Sequence, residues 1–439
     1  MLQITIFDKF PKDWDLVGLE DFVNSNSGIK PGPFGSSITK DCYTKFGYRV
    51  YGQEQVIAGD LSVGDYFISK AKFRELHSFA VQANDILLSL VGTVGKILVV
   101  REPFHPGIIN PRLIRLRPHY QTNTQYLKHL LESSIVRYQL NKIAQGGTME
   151  VLSATVLRQL RLPKPQLPEQ QKIAEILDAI DQAIALTDTH ITKLKKAKAG
   201  LLHDLLTRGI DDHGELRDYT RNPELFKQSP LGIIPKDWDI ETIKQCIKTI
   251  EQGWSPDCES FRAEPGEWGV LKTTSVVWEG YQDIENKRLP SNLSPRAHYE
   301  VKPGDVLITR AGPNSRVGVV ALVRNTQPKL ILSDKLYRLV PNEKIRADFL
   351  TYALSSNQVQ SYLSKFKTGL AESQTNISQA IILNLYLPLP PVDEQEKIAK
   401  SIEIKDLKIL QREKYLEKLK LLKKGLMSDL LTGRVRVKI

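Results

Sequence analysis

The sequence predicts an α/β (α+β) protein in which two mixed α/β domains are separated by two long helices forming an antiparallel coiled coil, with an internal pseudo-two-fold duplication. Three observations predict it. The segment "LPKPQLPEQQKIAEIL" at 162–177 returns as "LPLPPVDEQEKIAKSI" at 387–402, an offset of 225 (387 − 162) that holds without a gap through residue 207. The openings of the two halves match as well, "FPKDWD" at 10–15 returning as "IPKDWD" at 234–239. Each half then closes on a heptad pattern with no internal proline. A period this long marks a duplicated domain, because solenoid repeats run roughly 20–50 residues.

The first domain is expected over 1–168. There "NDILLSLVGTVGKILVV" (84–100) reads as two strands around a glycine-containing turn, with "GTVG" (92–95) as the hairpin. "INPRLIRLRP" (109–118) reads as a third strand and 125–144 as a helix. The second domain, 233–393, repeats the order with 303–323, then "LSDKLYRLVP" (332–341), then a helix over 348–366.

The first long helix is expected over 169–207. Its apolar residues fall at Ile173, Leu177, Ile180, Ile184, Ile191, Leu194, Leu201 and Leu205, with Thr187 and Lys198 filling the gaps in the alternation of four and three. The second, opening 394–439, keeps the frame with Ile398, Ile402, Ile409, Leu416, Leu419, Leu426 and Leu430, interrupted by Lys405, Arg412 and Lys423. About 39 residues of helix span roughly 58 Å, which is a strut. Pairing the two struts antiparallel closes the chain path, buries both seams and puts the domains at opposite ends. The alternative is that each strut packs on its own domain or on a foreign chain. The polar breaks work against a slippery register. Residues 208–232, polar and turn-rich, read as the connector.

With 61 basic against 50 acidic residues the chain carries a formal charge of +11, which favours a polyanionic partner. By segment the surplus is roughly +6 for 1–168 and +6 for 394–439, and near zero elsewhere. Three scattered cysteines (Cys42, Cys246, Cys258) fit reduced thiols rather than a disulfide framework or a zinc site. The N-terminus lacks a signal-peptide pattern, and no run of about 18 apolar residues occurs, so a soluble cytoplasmic protein is expected, with no membrane partner.

Catalytic signatures are missing. No GxxxxGK[ST] phosphate loop, no helix-opening GxGxxG and no Asn/Asp-Pro-Pro-aromatic stretch of amino-methylating enzymes occurs. The histidines fall into no ligand spacing, so no metal and no catalytic residue is assigned. Asp85 and Asp305 occupy matching places before a strand and read as turn carboxylates, with a metal site as the other reading.

These features resemble the specificity (S) subunit of Type I restriction–modification systems. The residues that carry the resemblance are the two "P-x-x-EQ-x-x-I" helix starts, the helix ends "GLLHDLLTRG" and "GLMSDLLTGRVRV", and "LFKQSPLGIIPKDWD" at 225–239. "GPFGSSI" (32–38), "GDVLITRAG" (304–312) and "LSDKLYRL" resemble recurring recognition-domain motifs. The resemblance implies two target-recognition domains, each reading half of a split, asymmetric double-stranded DNA target. It implies helices that set the spacer and dock two adenine-methyltransferase (M) subunits, with restriction (R) subunits joining them. The chain itself would be non-catalytic and hold no cofactor, while S-adenosylmethionine, ATP and Mg would be bound by the partner subunits. A specificity partner for another multi-subunit restriction enzyme, and a duplicated coiled-coil scaffold with no DNA role, are the alternatives.

Phosphate contacts need Lys or Arg, and base edges in the major groove favour Arg, Lys, Asn and Gln. The candidates in the first domain are Lys40, Lys45, Arg49, Lys70, Lys72, Arg74 and Arg112, with Tyr43 and Tyr48 interleaved. In the second they are Lys272, Lys287, Arg288, Arg310, Asn314, Arg316 and Lys335. For any one of them the other reading is a solvated surface charge. Glu169, Gln170, Glu394 and Gln395 begin the long helices in both copies and are candidates for docking the M subunits; complementing the helix dipole is their other reading.

Overall fold

The computed structural model describes residues 10–25, 27–90, 95–144, 152–369 and 374–438, which divide into two compact units. The first unit comprises residues 1–188 with 414–439, and the second 189–413. The units therefore cut across the domain boundaries expected from sequence: each contains one mixed α/β domain, the start of the long helix that follows it and the end of the other long helix.

In the first unit an antiparallel sheet has the order Ile29–Pro31, Leu113–Leu116, Ile86–Ser89, Ile97–Val99. Of the turn expected at 92–95, residues 92–94 lie outside the described residues, but the strands flanking it pair with Leu87 opposite Leu98. A second sheet runs Tyr43–Thr44, Phe67–Ile68, Tyr48–Tyr51, Gly107–Ile109, its last pair parallel. Asp15–Gly18 pairs with Arg161–Lys164 and closes the domain on itself. The second unit repeats this plan. Its larger sheet runs Ile247–Gln252, Leu336–Pro341, Val306–Thr309, Val320–Leu322. A smaller one pairs Gly269–Leu271 in parallel with Leu330–Ile331, and Asp239–Thr242 pairs with Tyr386–Leu389.

Three expectations need correction. The helix expected over 125–144 is two, Thr124–Glu132 and Ser134–Ala144, and that over 348–366 is also two, Ala347–Leu354 and Asn357–Lys365. The breaks fall at Ser133 and Ser356, which are extended and turn their hydroxyls to the amides of Val136 and Val359. A serine in that conformation starts a new helix rather than continuing the old one. The connector over 208–232 also carries structure: Phe226–Ser229 pairs antiparallel with Gly232–Pro235.

The third concerns the residues that open the long helices, which span Leu167–Thr207 and Val392–Leu430. Glu169, Gln170, Glu394 and Gln395 are buried, so they stand on no exposed docking face. Glu394 accepts from Trp238 Nε1 (2.9 Å), from the Ile210 amide (2.7 Å) and from both terminal nitrogens of Arg217 (2.9 and 3.1 Å). Glu169 accepts from Trp14 Nε1 (3.0 Å) and from Arg436 (2.7 and 2.9 Å). Gln170 and Gln395 each bridge the carbonyl before their helix and the start of a helix in the preceding α/β domain, donating to Pro165 and Pro390 and accepting from the Asn123 and Arg346 amides. In each clasp the tryptophan opens the domain, the glutamate opens the following helix, and the arginine follows the other long helix. Gly209, at φ +67°, lets the chain turn here: a Cβ would lie 2.3 Å from Glu394 Oε1 and 2.6 Å from the Trp238 ring.

Asp85 and Asp305 are strand-start carboxylates held by arginine: Arg117 binds Asp85 at 2.7 Å, and Arg338 reaches Asp305 at 3.3 Å. Each accepts the amide three residues before it, from Gln82 and Lys302.

The helix seam is filled as the periodicity demands. Ile173, Leu177, Ile180, Ile191, Leu205, Ile398, Ile402, Ile409, Leu416, Leu419 and Leu430 are buried, while Ile184, Leu194, Leu201 and Leu426 are half-buried. Two of the polar breaks form ion pairs across the helices: Lys423 with Asp181 in the first unit and Lys198 with Asp406 in the second, both at 2.5 Å. The two pairs are related by the offset of the repeat. Within the second unit Lys195 pairs with Glu413 at 2.7 Å, so that order along one helix is reversed along the other and the two run antiparallel there.

Removing the acceptor of a clasp strands buried donors. Glu394→Ala, which leaves the Trp238 indole and the Ile210 amide without an acceptor and a 13 %-exposed Arg217 with Asp237 alone, is expected to cost about 3–5 kcal/mol. Glu169→Ala should cost less, because Arg436 is 41 % exposed and can return to water. Urea unfolding of the two variants measures the order; equal losses would contradict this account.

Candidate nucleic-acid interface

In the first domain the candidate cations gather around the small sheet. Lys40 opens a short turn of helix, Lys45 lies in the turn between Tyr43–Thr44 and Tyr48–Tyr51, and Lys70, Lys72 and Arg74 ride on the helix Lys70–Glu75. That helix follows strand Phe67–Ile68, which pairs with both tyrosine strands. Lys40, Lys45, Lys70 and Arg74 are exposed; Lys72 is half-buried and pairs with Glu75 at 2.7 Å. Tyr48 stacks on Phe73 with centroids 3.9 Å apart, and Tyr43 leans on Tyr66 at 5.0 Å. The tyrosines therefore tie the helix and the hairpin together. Burial pushes the Tyr43 phenol up, with Tyr66 and Glu54 adding to it, while the exposed Arg112 lies near enough to oppose them.

Arg49 does not belong to this surface. It is buried, donates to the carbonyls of Leu61 (2.7 Å) and Val63 (3.1 Å), and lies over the Phe67 ring. One terminal nitrogen of the guanidinium, with its two N–H groups, serves both loop carbonyls.

In the second domain Lys287, Asn314 and Lys335 are exposed. The other candidates are held. Lys272 pairs with Glu285 at 3.3 Å and Arg288 with Glu267 at 2.9 Å. Arg310 donates to the Asp334 carbonyl at 3.1 Å over the Tyr337 ring, and Arg316 donates to the Thr273 carbonyl at 3.2 Å. The Arg310 amide bonds the Lys335 carbonyl, and Arg316 reaches the residue next to Lys272, so the fold assembles Lys272, Arg310, Asn314, Arg316 and Lys335 around one loop. Lys287 and Arg288 stand on the neighbouring strand Asn286–Arg288.

Sequence reasoning missed three side chains. Phe34 and Phe46 are 88 % and 83 % exposed, beside Lys40 and Lys45 in the chain. An apolar residue is no signal for a polyanion, so neither was singled out, although an exposed aromatic is a stacking or wedging group. Lys367 Nζ donates to the Asn314 carbonyl at 2.9 Å, and only the fold brings it to that loop.

A profile described as "Type I restriction modification DNA specificity domain" matches residues 11–196 and 274–421. The chain belongs to the type I restriction–modification DNA specificity family. This specificity chain is 43 % identical to the "Type I restriction enzyme EcoEI specificity subunit" of Escherichia coli over 192 residues, which is 41 % of this chain and 32 % of that one. It is 26 % identical to the "Type I restriction enzyme MjaVIII specificity subunit" of Methanocaldococcus jannaschii across 98 % of this chain and 95 % of that relative. The fold is shared with the type I specificity subunit of M. genitalium (TM-score 0.55, 15 % identity, 98 % of each chain). It is also shared with a chain from the assembly of a type I system (TM-score 0.56, 17 % identity, 97 % of this chain and 100 % of that one).

The specificity chain has a second surface feature, confined to its second unit. A cleft of about 840 Å³ is lined by Leu407 and Leu410 of the second long helix and by Tyr352, Tyr362, Trp278 and Tyr386 of the recognition domain. Among the described residues no helix is long and apolar enough to cross a membrane.

The split between exposed and inward cations is testable. Lys45→Ala should weaken DNA binding and reduce its salt dependence by about one counterion without changing the melting temperature. Arg49→Ala should instead lower the melting temperature, by stranding two loop carbonyls. Duplex binding against salt, beside thermal unfolding, separates the two; the reverse assignment would overturn the placement.

Proposed function

We propose that the chain is the DNA-sequence specificity subunit of a type I restriction–modification complex, with each recognition domain reading one half of a bipartite, asymmetric duplex target. The observation that carries this is the duplication itself: two units of one topology, each presenting Lys and Arg around a small sheet, built on one pair of long helices. Because the domains differ in sequence where those cations lie, the half-sites should differ. The chain supplies the address, and catalysis lies with its partners. In this reading two adenine-methyltransferase subunits bind S-adenosylmethionine, and restriction subunits bind ATP and Mg. A chromosomal target makes the cytoplasm its place of work.

With the glutamates and glutamines of the helix starts turned inward, docking of the methyltransferase subunits passes to the outer helix faces. Leu186, Ile404, Leu407, Leu410, Leu421 and Leu422 are exposed there, more apolar surface than a free helix pair normally leaves in water. The aromatic-lined cleft of the second unit adjoins two of them and suits an apolar helix of a partner.

The charged pairs at the seam suit the helices to setting the unread spacer. One heptad inserted in both helices at matching places lengthens the pair by about 10 Å, on the order of two to three base pairs at 3.4 Å each. Mapping N6-methyladenine in a genome that carries this chain with its methyltransferase should show a two-part motif with a fixed gap, lost on deletion and widened by the insertions. An unchanged map on deletion, with the methyltransferase co-expressed, would overturn the DNA role. An unchanged gap after the insertions would overturn the spacer role alone.

A further inference from the structure

The histidine pattern in the sequence points to no ligand set, but the fold assembles one from two helices. His129 and Glu132 lie three residues apart on helix Thr124–Glu132, while Asp178 and Asp181 lie three apart on the first long helix. The His129 side chain is completely buried. Its Nε2 is 2.7 Å from Asp178 Oδ1, and a carboxylate accepts, so Nε2 carries a proton and the lone pair of the neutral ring is on Nδ1. Nδ1 is buried without a hydrogen-bond partner, and it faces Glu132 Oε2 and Asp181 Oδ2, each 4.0 Å away. Among the described residues, His129, Glu132 and Asp181 bring their ligand atoms within 4.8 Å of one another.

We propose that His129 Nδ1, Glu132 and Asp181 form a divalent-cation site suited to Zn²⁺, which ties the first recognition domain to the first long helix.

Three features support zinc there. An imidazole with two carboxylates is a zinc donor set with room for water at a fourth position. The second ring nitrogen donates to a carboxylate, the outer contact that metal-bound histidines almost always make. Ligands at about 2.0–2.2 Å from one ion stand roughly 3.4 Å apart in a tetrahedron, so separations of 4.0 Å from Nδ1 and at most 4.8 Å within the set close with side-chain shifts on the order of 1 Å.

Two ammonium groups share the cluster. Lys128 lies 3.3 Å from Asp181 and 3.5 Å from Glu132, and Lys423 lies 2.5 Å from Asp181 and 4.0 Å from Glu132. Lys128 shares the two ligand oxygens, Glu132 Oε2 and Asp181 Oδ2, and is the group an ion would displace, whereas Lys423 holds the other oxygen, Asp181 Oδ1, and keeps its pair across the helices. Three carboxylates (Glu132, Asp178, Asp181) against these two ammoniums leave the cluster one negative charge in excess.

The second half supplies the control. Ser133 and Ser356 hold equivalent places, so Tyr352 stands where His129 does and Ser355 where Glu132 does, while Asp406 matches Asp181. Tyr352 donates its hydroxyl to Asp406 at 3.2 Å, filling with a hydrogen bond the place that a lone pair faces in the first half. One site per chain is therefore expected.

The test uses the full chain, purified through chelator and titrated with Zn²⁺ by calorimetry, with thermal unfolding alongside. One Zn²⁺ per chain and a rise in melting temperature are expected. His129→Tyr, which copies the second half, and Glu132→Ser should each weaken Zn²⁺ binding at least about tenfold, and Asp178→Asn about 10–100-fold. Folded wild-type chain that takes up no Zn²⁺ overturns the site. Uptake that is equal in His129→Tyr and Glu132→Ser also overturns it, assigning the metal to groups such as the thiols. Glu132 is 28 % exposed, so the Glu132→Ser chain decides the matter alone should His129→Tyr not fold.

Discussion

A buried carboxylate at the start of each long helix is the interaction on which the rest of the molecule rests. Glu169 and Glu394 are almost wholly removed from water, and a charge in that position persists only if donors surround it. The donors come from three separate stretches of chain: an indole from the opening of the domain, a fork from the segment after the other long helix and, in the second unit, a backbone amide. The carboxylate therefore does more than mark a helix start. It fixes where the domain begins, where the helix leaves it and where the opposite helix returns. The apolar cores follow the same plan, since Leu430 and Leu431 pack with Trp14 and Leu177 in the first unit, and Leu205 and Leu206 with Trp238 and Ile402 in the second.

The second constraint is register. Leucine and isoleucine seams alone tolerate sliding by a heptad, whereas an ion pair inside the seam is satisfied in one alignment. The repeat supplies the same pair twice, Lys423 with Asp181 and Lys198 with Asp406, so both units impose the same alignment on the helices. In the proposed reading a pair of recognition domains on such a frame needs that property, because a fixed spacer would be only as definite as the helix register beneath it. The halves are nonetheless unequal where a recognition-domain helix meets this frame: a hydroxyl donor, Tyr352, faces Asp406 in one, and a bare imidazole nitrogen faces Asp181 in the other.

Part of the candidate set divides in space according to chemistry, although Arg74 and Arg112 also reach water. Lysines at 40, 45, 70, 287 and 335 reach water, as a point charge on a flexible stem does. Arginines at 49, 310 and 316 turn their forks to backbone carbonyls and stabilise loops of the same surface. Arg310 thus shapes the loop from which Lys335 projects.

The sequence by itself determined the duplication, the alternation of strands and helices, the heptad seams and the family. Each of these is carried by local periodicity or by residues close together in the chain. It also determined that Lys198 and Lys423 interrupt the seams, though not what they face. Tertiary structure alone decided the partners. Glu169 meets Arg436, 267 residues away, and Glu394 meets Arg217, 177 away, so residues that read as an exposed helix start are buried. Arg49 turns from candidate contact to loop support, and His129 meets carboxylates from a helix that no local spacing links to it. Burial and charge pairing depend on which surfaces the fold brings together, and a one-dimensional pattern does not contain that.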